Sequence, residues 1–162
     1  MPELPEVESL RRSIEARLAG ATVVSARVDR ADMLHAATGA PGVPLGPGNR
    51  IVALHRRGKQ LVIEGSAGCL LVHLGMSGSL RIIEDDAPTD GERHVHARWT
   101  LQCADGRTRT LRHRDPRRFG WLESHADLAK LRGACWNALG PDALGVRAED
   151  LSHADRKSTR LN

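Results

Sequence analysis

Hydrophobic positions divide the chain into an N-terminal helix followed by short strands. Apolar residues recur at helical spacing and end at a stop signal: Val7, Leu10, Ile14, Leu18 and then Gly20. Eight runs typical of strands follow at 22–28, 51–54, 60–63, 69–73, 80–83, 98–102, 108–111 and 119–122. The pattern predicts an α+β fold that is mostly β, a two-sheet antiparallel β-sandwich of about eight strands.

The end of the chain returns to a helical pattern and then loses it. A second helix is predicted near the C-terminal end, around 126–131, before a Gly-Pro break. This organisation predicts one β-sandwich domain over 1–138 and a linker with the start of a second domain over 139–152. The polar, basic stretch 153–162 is predicted to be a disordered or foreign tail.

Length and composition fit a soluble globular domain. The chain has 162 residues, 40% of them hydrophobic, which suffices for one real core. No apolar stretch approaches membrane-spanning length and the N-terminus is acidic, which predicts a cytoplasmic protein without a membrane partner. The three cysteines Cys69, Cys103 and Cys135 form no CxxC pair, so we expect reduced thiols and no metal site.

Positive charge is concentrated in one segment. Residues 93–118 contain eight arginines against Asp105 and Asp115, whereas the net charge of the whole chain is only +4. Local arginine excess with interleaved histidines is typical of a surface that binds a polyanion such as nucleic acid. A solvated arginine-rich face is the alternative interpretation.

The N-terminus offers unusual chemistry if Met1 is removed. Pro2 would then carry a free secondary amine beside Glu3. A terminal amine has a pKa of about 7.7–8.0 and is therefore substantially neutral near neutral pH. Such an amine can attack a carbonyl carbon and form a cationic iminium. The alternative is that Pro5 and the glutamates merely start the helix and complement its dipole.

Three further segments combine glycines with cations or isolated apolar residues: RRGKQL, HLGMSGSLR and DPRRFG. Lys59 lies at the tight junction between two strands, Met76 lies between glycines, and Phe119 follows two arginines. Taken singly, Lys59 fits a surface turn, Met76 a core filler, and Phe119 the first inward residue of a strand.

Together with the opening MPELPEVE, these segments resemble the formamidopyrimidine-DNA glycosylase and endonuclease VIII family, in its bacterial formamidopyrimidine branch. The resemblance runs over residues 1–144 and covers the N-terminal catalytic domain only. It implies that Pro2 is the Schiff-base nucleophile on the sugar C1′ and that Glu3 is the acid. It implies that Lys59 serves the elimination step and contacts a phosphate.

The resemblance also implies a set of DNA-binding residues. Phe119 would wedge the base stack, Arg117 would face the orphaned base, and Met76 would fill the gap left by an extruded nucleotide. His94 would hold the DNA backbone, with His73 as a further candidate. Extrusion itself follows from physics, because a base inside a duplex cannot present its glycosidic bond to an amine.

The implied function is a bifunctional DNA glycosylase and abasic-site lyase of base-excision repair, acting as a monomer on double-stranded DNA that contains oxidised bases or abasic sites. It would remove oxidised purines such as 8-oxoguanine and formamidopyrimidines. The family continues into a helix-two-turn-helix domain and a zinc finger that this sequence lacks, which predicts no cofactor and impaired activity on duplex DNA. The alternatives are a non-catalytic DNA-binding remnant or incomplete gene product, and an N-terminal-proline tautomerase.

Overall fold

The structure, a computed structural model, describes residues 2–35, 44–84 and 93–145. Its strands are β1 Thr22–Val28, β2 Leu34–His35, β3 Ile51–Arg57, β4 Gln60–Gly65, β5 Gly68–His73, β6 Ser79–Glu84, β7 Val95–Gln102, β8 Thr108–Arg114 and β9 Trp121–His125. The helices are α1 Leu4–Leu18 and α2 Leu128–Leu131, with a 3-10 turn at Ala31–Met33 and a π-helical turn at Arg132–Trp136.

The strands form two sheets, which confirms the predicted fold class. One sheet has the order β1-β7-β8-β6 and the other has the order β2-β9-β5-β4-β3. All neighbouring strands are antiparallel except β2, which runs parallel to β9. The sequence did not predict β2, because two residues are too few to show a period of two. The last strand begins at Trp121 rather than at Phe119.

The core lies between the sheets and follows the alternation of side chains along each strand. Leu61 and Ile63 of β4 point into the main core, whereas Val62 points outward to a smaller apolar cluster under α2 and the π-helical turn. Trp99 of β7 is the largest fully buried side chain, and its indole N–H donates to the Pro44 carbonyl at 2.8 Å. Both faces of the five-stranded sheet are therefore covered.

Helix α1 packs against β3 and fixes the position of the N-terminus. Val7, Ile14 and Leu18 are buried, as the periodicity predicts. The backbone at Glu3 is extended, and its N–H donates to the Glu6 carboxylate at 2.8 Å, so an unpaired donor at the helix start is satisfied. Pro2 is consequently placed just before a rigid element.

Among the described residues, no helix is both long enough and apolar enough to cross a bilayer. The predicted tail 153–162 and the predicted linker beyond residue 145 lie outside the described residues. The domain boundaries and the cytoplasmic location stay predictions.

Candidate active site

One cavity of about 290 Å³ lies where the start of α1, the β3–β4 hairpin and two loops meet. Five of the residues singled out from the sequence line it: Pro2, Lys59, His73, Met76 and Phe119. Val7, Leu74 and Gly75 complete its wall. Residues that are 117 positions apart in the sequence are thus brought to one opening by the fold.

The Lys59 amine at the cavity has a carboxylate beside it. The Lys59 Nζ lies 3.2 Å from the Glu3 Oε2, and the two side chains are 41% and 58% exposed. An exposed ion pair of this kind contributes little to stability, so a ligand can separate it at little cost. Glu3 therefore joins the site through Lys59 rather than by lining the cavity.

The β3–β4 hairpin presents Lys59 at a tight turn. Arg57 and Gln60 pair across the hairpin, which leaves Gly58 and Lys59 as a two-residue connection. Gly58 has a φ of +56°, which such turns require and which glycine adopts without strain. The Gly58 carbonyl accepts from Arg56 at 2.9 Å, so the tip is fixed on its inner side.

His73 forms a neutral wall of the cavity. Its ring stacks on Trp121 with 5.3 Å between the ring centroids, and Trp121 also stacks on His35 at 5.2 Å. Burial, with a contribution from the nearby Lys59 cation, lowers the pKa of His73. The imidazole is therefore uncharged near neutral pH, which suits contact with a sugar or base better than the charge-assisted binding of a phosphate.

A buried carboxylate organises the loop of residues 115–120. Asp115 is fully buried and accepts hydrogen bonds from the Ser77 hydroxyl at 2.5 Å, from the Gly120 N–H at 2.8 Å and from the Arg117 N–H at 3.2 Å. Burial opposes its ionisation, but these hydrogen bonds outweigh burial and lower the pKa of Asp115. The loop is thereby held to the 74–78 loop through Ser77.

The two loops also meet through their backbones. Gly75 has a φ of +60°, and a Cβ added there would lie 2.6 Å from the Gly120 nitrogen and from the Phe119 carbonyl carbon. This close approach sets Met76 and Phe119 side by side on the cavity rim, 44% and 58% exposed. The contact between the two loops thus keeps two large apolar side chains partly exposed to solvent.

Arg117 and His94 flank the cavity without lining it. Arg117 is exposed on the 115–120 loop, two residues before Phe119. His94 is exposed in the turn before β7, and its carbonyl accepts from the Asp115 N–H at 3.0 Å. Both residues are thus exposed and belong to segments joined to the loop that carries Phe119.

The arginine-rich segment does not form a single basic face. Arg109 and Arg112 are buried, and Arg109 pairs with Asp105 at 2.6 Å and with Glu84 at 3.1 Å. Arg98 pairs with Asp29. The exposed arginines of the segment are Arg93, Arg107, Arg117 and Arg118. The surface that could attract a polyanion is thus smaller than the composition indicates.

The structure adds a partly buried ion cluster that the sequence did not indicate. The Arg56 side chain is 7% exposed and bridges Glu8 of α1 at 2.9 Å and Asp142 at 2.8 Å. The hydrogen bond from Arg11, with those from Arg12 and Arg56, holds the pKa of Glu8 well below its usual range despite burial. No local pattern could reveal the cluster, since its members are far apart in the sequence.

Comparison with known proteins places these features in one family of sequences. Residues 1–122 match the family described as the formamidopyrimidine-DNA glycosylase N-terminal domain. The formamidopyrimidine-DNA glycosylase of Thioalkalivibrio sulfidiphilus is 41% identical over 148 residues, which cover 90% of this chain and 51% of the relative. The enzyme of the same name from Vibrio cholerae is 44% identical over 137 residues, covering 81% and 48%.

Solved structures show the same architecture. MutM in complex with DNA that contains carbocyclic 8-oxo-G has a TM-score of 0.67 at 29% identity, over 84% of this chain and 49% of that chain. The Lactococcus lactis FPG (MutM) complex with DNA that contains FAPY-dG has a TM-score of 0.65 at 30% identity, over 82% and 47%. The chain spans about half the length of the curated relatives that it matches.

Proposed function

The chain belongs to the formamidopyrimidine-DNA glycosylase family, and from this premise we propose that it carries the reaction centre of a base-excision repair enzyme. The proposed activity is that of a DNA glycosylase with an abasic-site lyase step, acting on oxidised purines in double-stranded DNA. The names of the relatives and the damaged DNA bound by the structural neighbours support this substrate class.

The convergence of Pro2 and an exposed apolar pair on one cavity carries the proposal, with the Pro2 nitrogen as a free amine once Met1 is removed. A nucleotide must leave the duplex before an amine can reach its sugar, which costs a few kcal/mol. Met76 and Phe119 protrude at the rim, where they can enter the gap and stack on the neighbouring bases. Pro2 and Lys59 lie in the same cavity, where the extruded sugar would arrive.

Pro2, Glu3 and Lys59 supply the groups that the proposed reaction needs. The Pro2 nitrogen forms a bond to C1′ while the bond from C1′ to the damaged base breaks, and the base leaves with a proton from water. The Glu3 carboxylate takes the proton that the Pro2 nitrogen loses and passes it to the sugar ring oxygen. Opening of the sugar ring leaves an iminium at C1′, which acidifies the C2′ protons. Water takes up one C2′ proton as the bond to the 3′-phosphate breaks, and the Lys59 cation stabilises the departing phosphate. Hydrolysis of the iminium then releases Pro2.

Borohydride trapping on an abasic-site duplex tests this assignment. Reduction of the iminium is expected to leave a stable covalent adduct between protein and DNA. Peptide mapping by mass spectrometry should place the adduct on Pro2, with Met1 absent. An adduct on Lys59 would assign the nucleophile to the other amine of the cavity and contradict the proposal.

Two altered chains sharpen the test. A chain extended before Pro2, so that the Pro2 nitrogen lies in an amide bond, should lose the adduct. Pro5→Ala changes a nearby proline of the same helix start and should keep it. A wild-type chain that binds the duplex yet gives no adduct would favour the non-catalytic DNA-binding alternative.

A further inference from the structure

A second group of chemically active side chains lies beneath the π-helical turn Arg132–Trp136, and none of them lines the cavity. Glu123 and His125 are two residues apart on β9 and therefore share a face of the sheet. Cys135 approaches that face from the turn. Among the described residues, these three form the one group of at least three potential metal ligands.

The distances within the group match those of a metal-binding triangle. The His125 Nε2 lies 3.1 Å from the Glu123 Oε1, and the Cys135 Sγ lies 3.7 Å from the Nε2 and 3.9 Å from the Oε1. In a tetrahedral zinc site with bonds of about 2.0–2.3 Å, such donors lie about 3.3–3.6 Å apart. Small side-chain rotations suffice to close the difference.

The surroundings of the group favour a cation. His125 is 1% exposed, and its Nδ1 has no hydrogen-bond partner among the described residues. The polar contacts of its ring therefore lie at Nε2, the atom near Glu123 and Cys135. A cation among the three groups would hold the Cys135 side chain as a thiolate, because metal binding stabilises the deprotonated thiol.

We propose that Glu123, His125 and Cys135 bind one transition-metal ion of the zinc class. The combination of thiolate, imidazole and carboxylate suits Zn²⁺, whereas Mg²⁺ and Ca²⁺ prefer oxygen ligands alone. The partial exposure of Glu123 and Cys135 leaves room for water as a fourth ligand. The ion would fasten the π-helical turn to β9 and so anchor the segment that leads to residue 145.

Cobalt provides a direct probe of this site. The full chain, purified without a tag and stripped with a chelator, is titrated with Co²⁺ and followed by absorption. We expect one equivalent to bind, with a thiolate-to-cobalt charge-transfer band in the near ultraviolet. We also expect Zn²⁺ to displace Co²⁺ and to raise the melting temperature of the chain.

Matched variants locate the site. Cys135→Ser should abolish the charge-transfer band, whereas Cys103→Ala removes a cysteine of the main core and should keep it. Glu123→Gln retains the side-chain shape and should weaken Co²⁺ binding at least roughly tenfold. Absence of binding in the wild-type chain, a band that persists in Cys135→Ser, or equal loss in Cys103→Ala would overturn the proposal.

Discussion

At the scale of single residues, His113 is a buried polar side chain without hydrogen-bond partners among the described residues. It lies in β8 at 0% exposure, and neither ring nitrogen has a hydrogen-bond partner among the described residues. Burial lowers the pKa of His113 to about 4, and the nearby His96 adds to the effect while Asp115 opposes it. The folded chain therefore keeps this ring neutral at pH values where the unfolded chain protonates it.

We expect the free energy of unfolding to fall as the pH drops from about 6.5 to about 4. Across this window the unfolded state binds a proton at position 113 and the folded state does not, so protonation favours unfolding. This contribution of His113 to the free energy of unfolding is about 3 kcal/mol. It is fully present above the upper pH of the window and lost at the lower pH. Urea unfolding at a series of pH values measures it.

Two histidine variants isolate this effect. His113→Gln should reduce the slope of the curve within the window, whatever it does to stability at neutral pH. The lowered pKa of His73 should leave a smaller slope of the same sign. His94→Gln removes an exposed histidine and should leave the slope unchanged. Glu8, whose pKa is lowered from an ordinary value of 4.5, contributes at the acid end of the window and below it, and Asp115, lowered from 3.8, contributes mainly below it. A slope that survives unchanged in His113→Gln would assign the pH dependence to other groups.

At the scale of elements, the contact between the 74–78 loop and the 115–120 loop positions the apolar pair. Gly75 lies in this contact and has a positive φ, and the backbone of Phe119 and Gly120 lies directly beside it. Gly106 also has a positive φ, of +79°, but a Cβ there would meet nothing within 4 Å. The two glycines thus share a conformation and differ in their surroundings.

Gly106→Ala is expected to lower the free energy of unfolding by about 1–2 kcal/mol, the cost of a left-handed conformation for an L-residue. Gly75→Ala should cost about 2–5 kcal/mol, because the added methyl group also forces the two loops apart. Urea denaturation of both variants gives the difference. Equal losses would mean that the loops separate without strain.

At the scale of the whole molecule, exposed cations are distributed unevenly over the surface. Arg117 lies two residues before the cavity residue Phe119, whereas Arg107 follows the β7–β8 turn at the other end of β8. The seven residues of β8 extend roughly 23 Å. Replacing either arginine changes the net charge equally, so the pair separates a local contact from general attraction.

We expect Arg117→Ala to weaken binding to a duplex that contains an abasic-site analogue by about 1–3 kcal/mol, since it would remove a donor to the orphaned base. Arg107→Ala should change affinity little. Fluorescence anisotropy at fixed salt concentration measures both. The loss in Arg117→Ala should shrink when the opposite strand also lacks a base, and equal losses in the two variants would exclude a specific role for Arg117.

The sequence by itself determined the elements and indicated most of the residues that line the cavity. All eight predicted strands and both helices occur, because alternation of period two and repeats of period 3.6 are local properties of the chain. Lys59 was assigned to a turn from its neighbours alone. The motifs around Pro2, Met76 and Phe119 likewise indicated cavity residues, because each motif is a continuous stretch of the sequence.

Only the tertiary structure decided which distant residues meet. It placed Phe119 in solvent rather than in a strand, since Asp115 and Gly75 hold its loop from different parts of the chain. It paired Arg109 with Glu84 and thereby reduced the basic surface. It also brought Cys135 to His125. These contacts depend on how the sheets and turns pack against one another, and no local period encodes that packing.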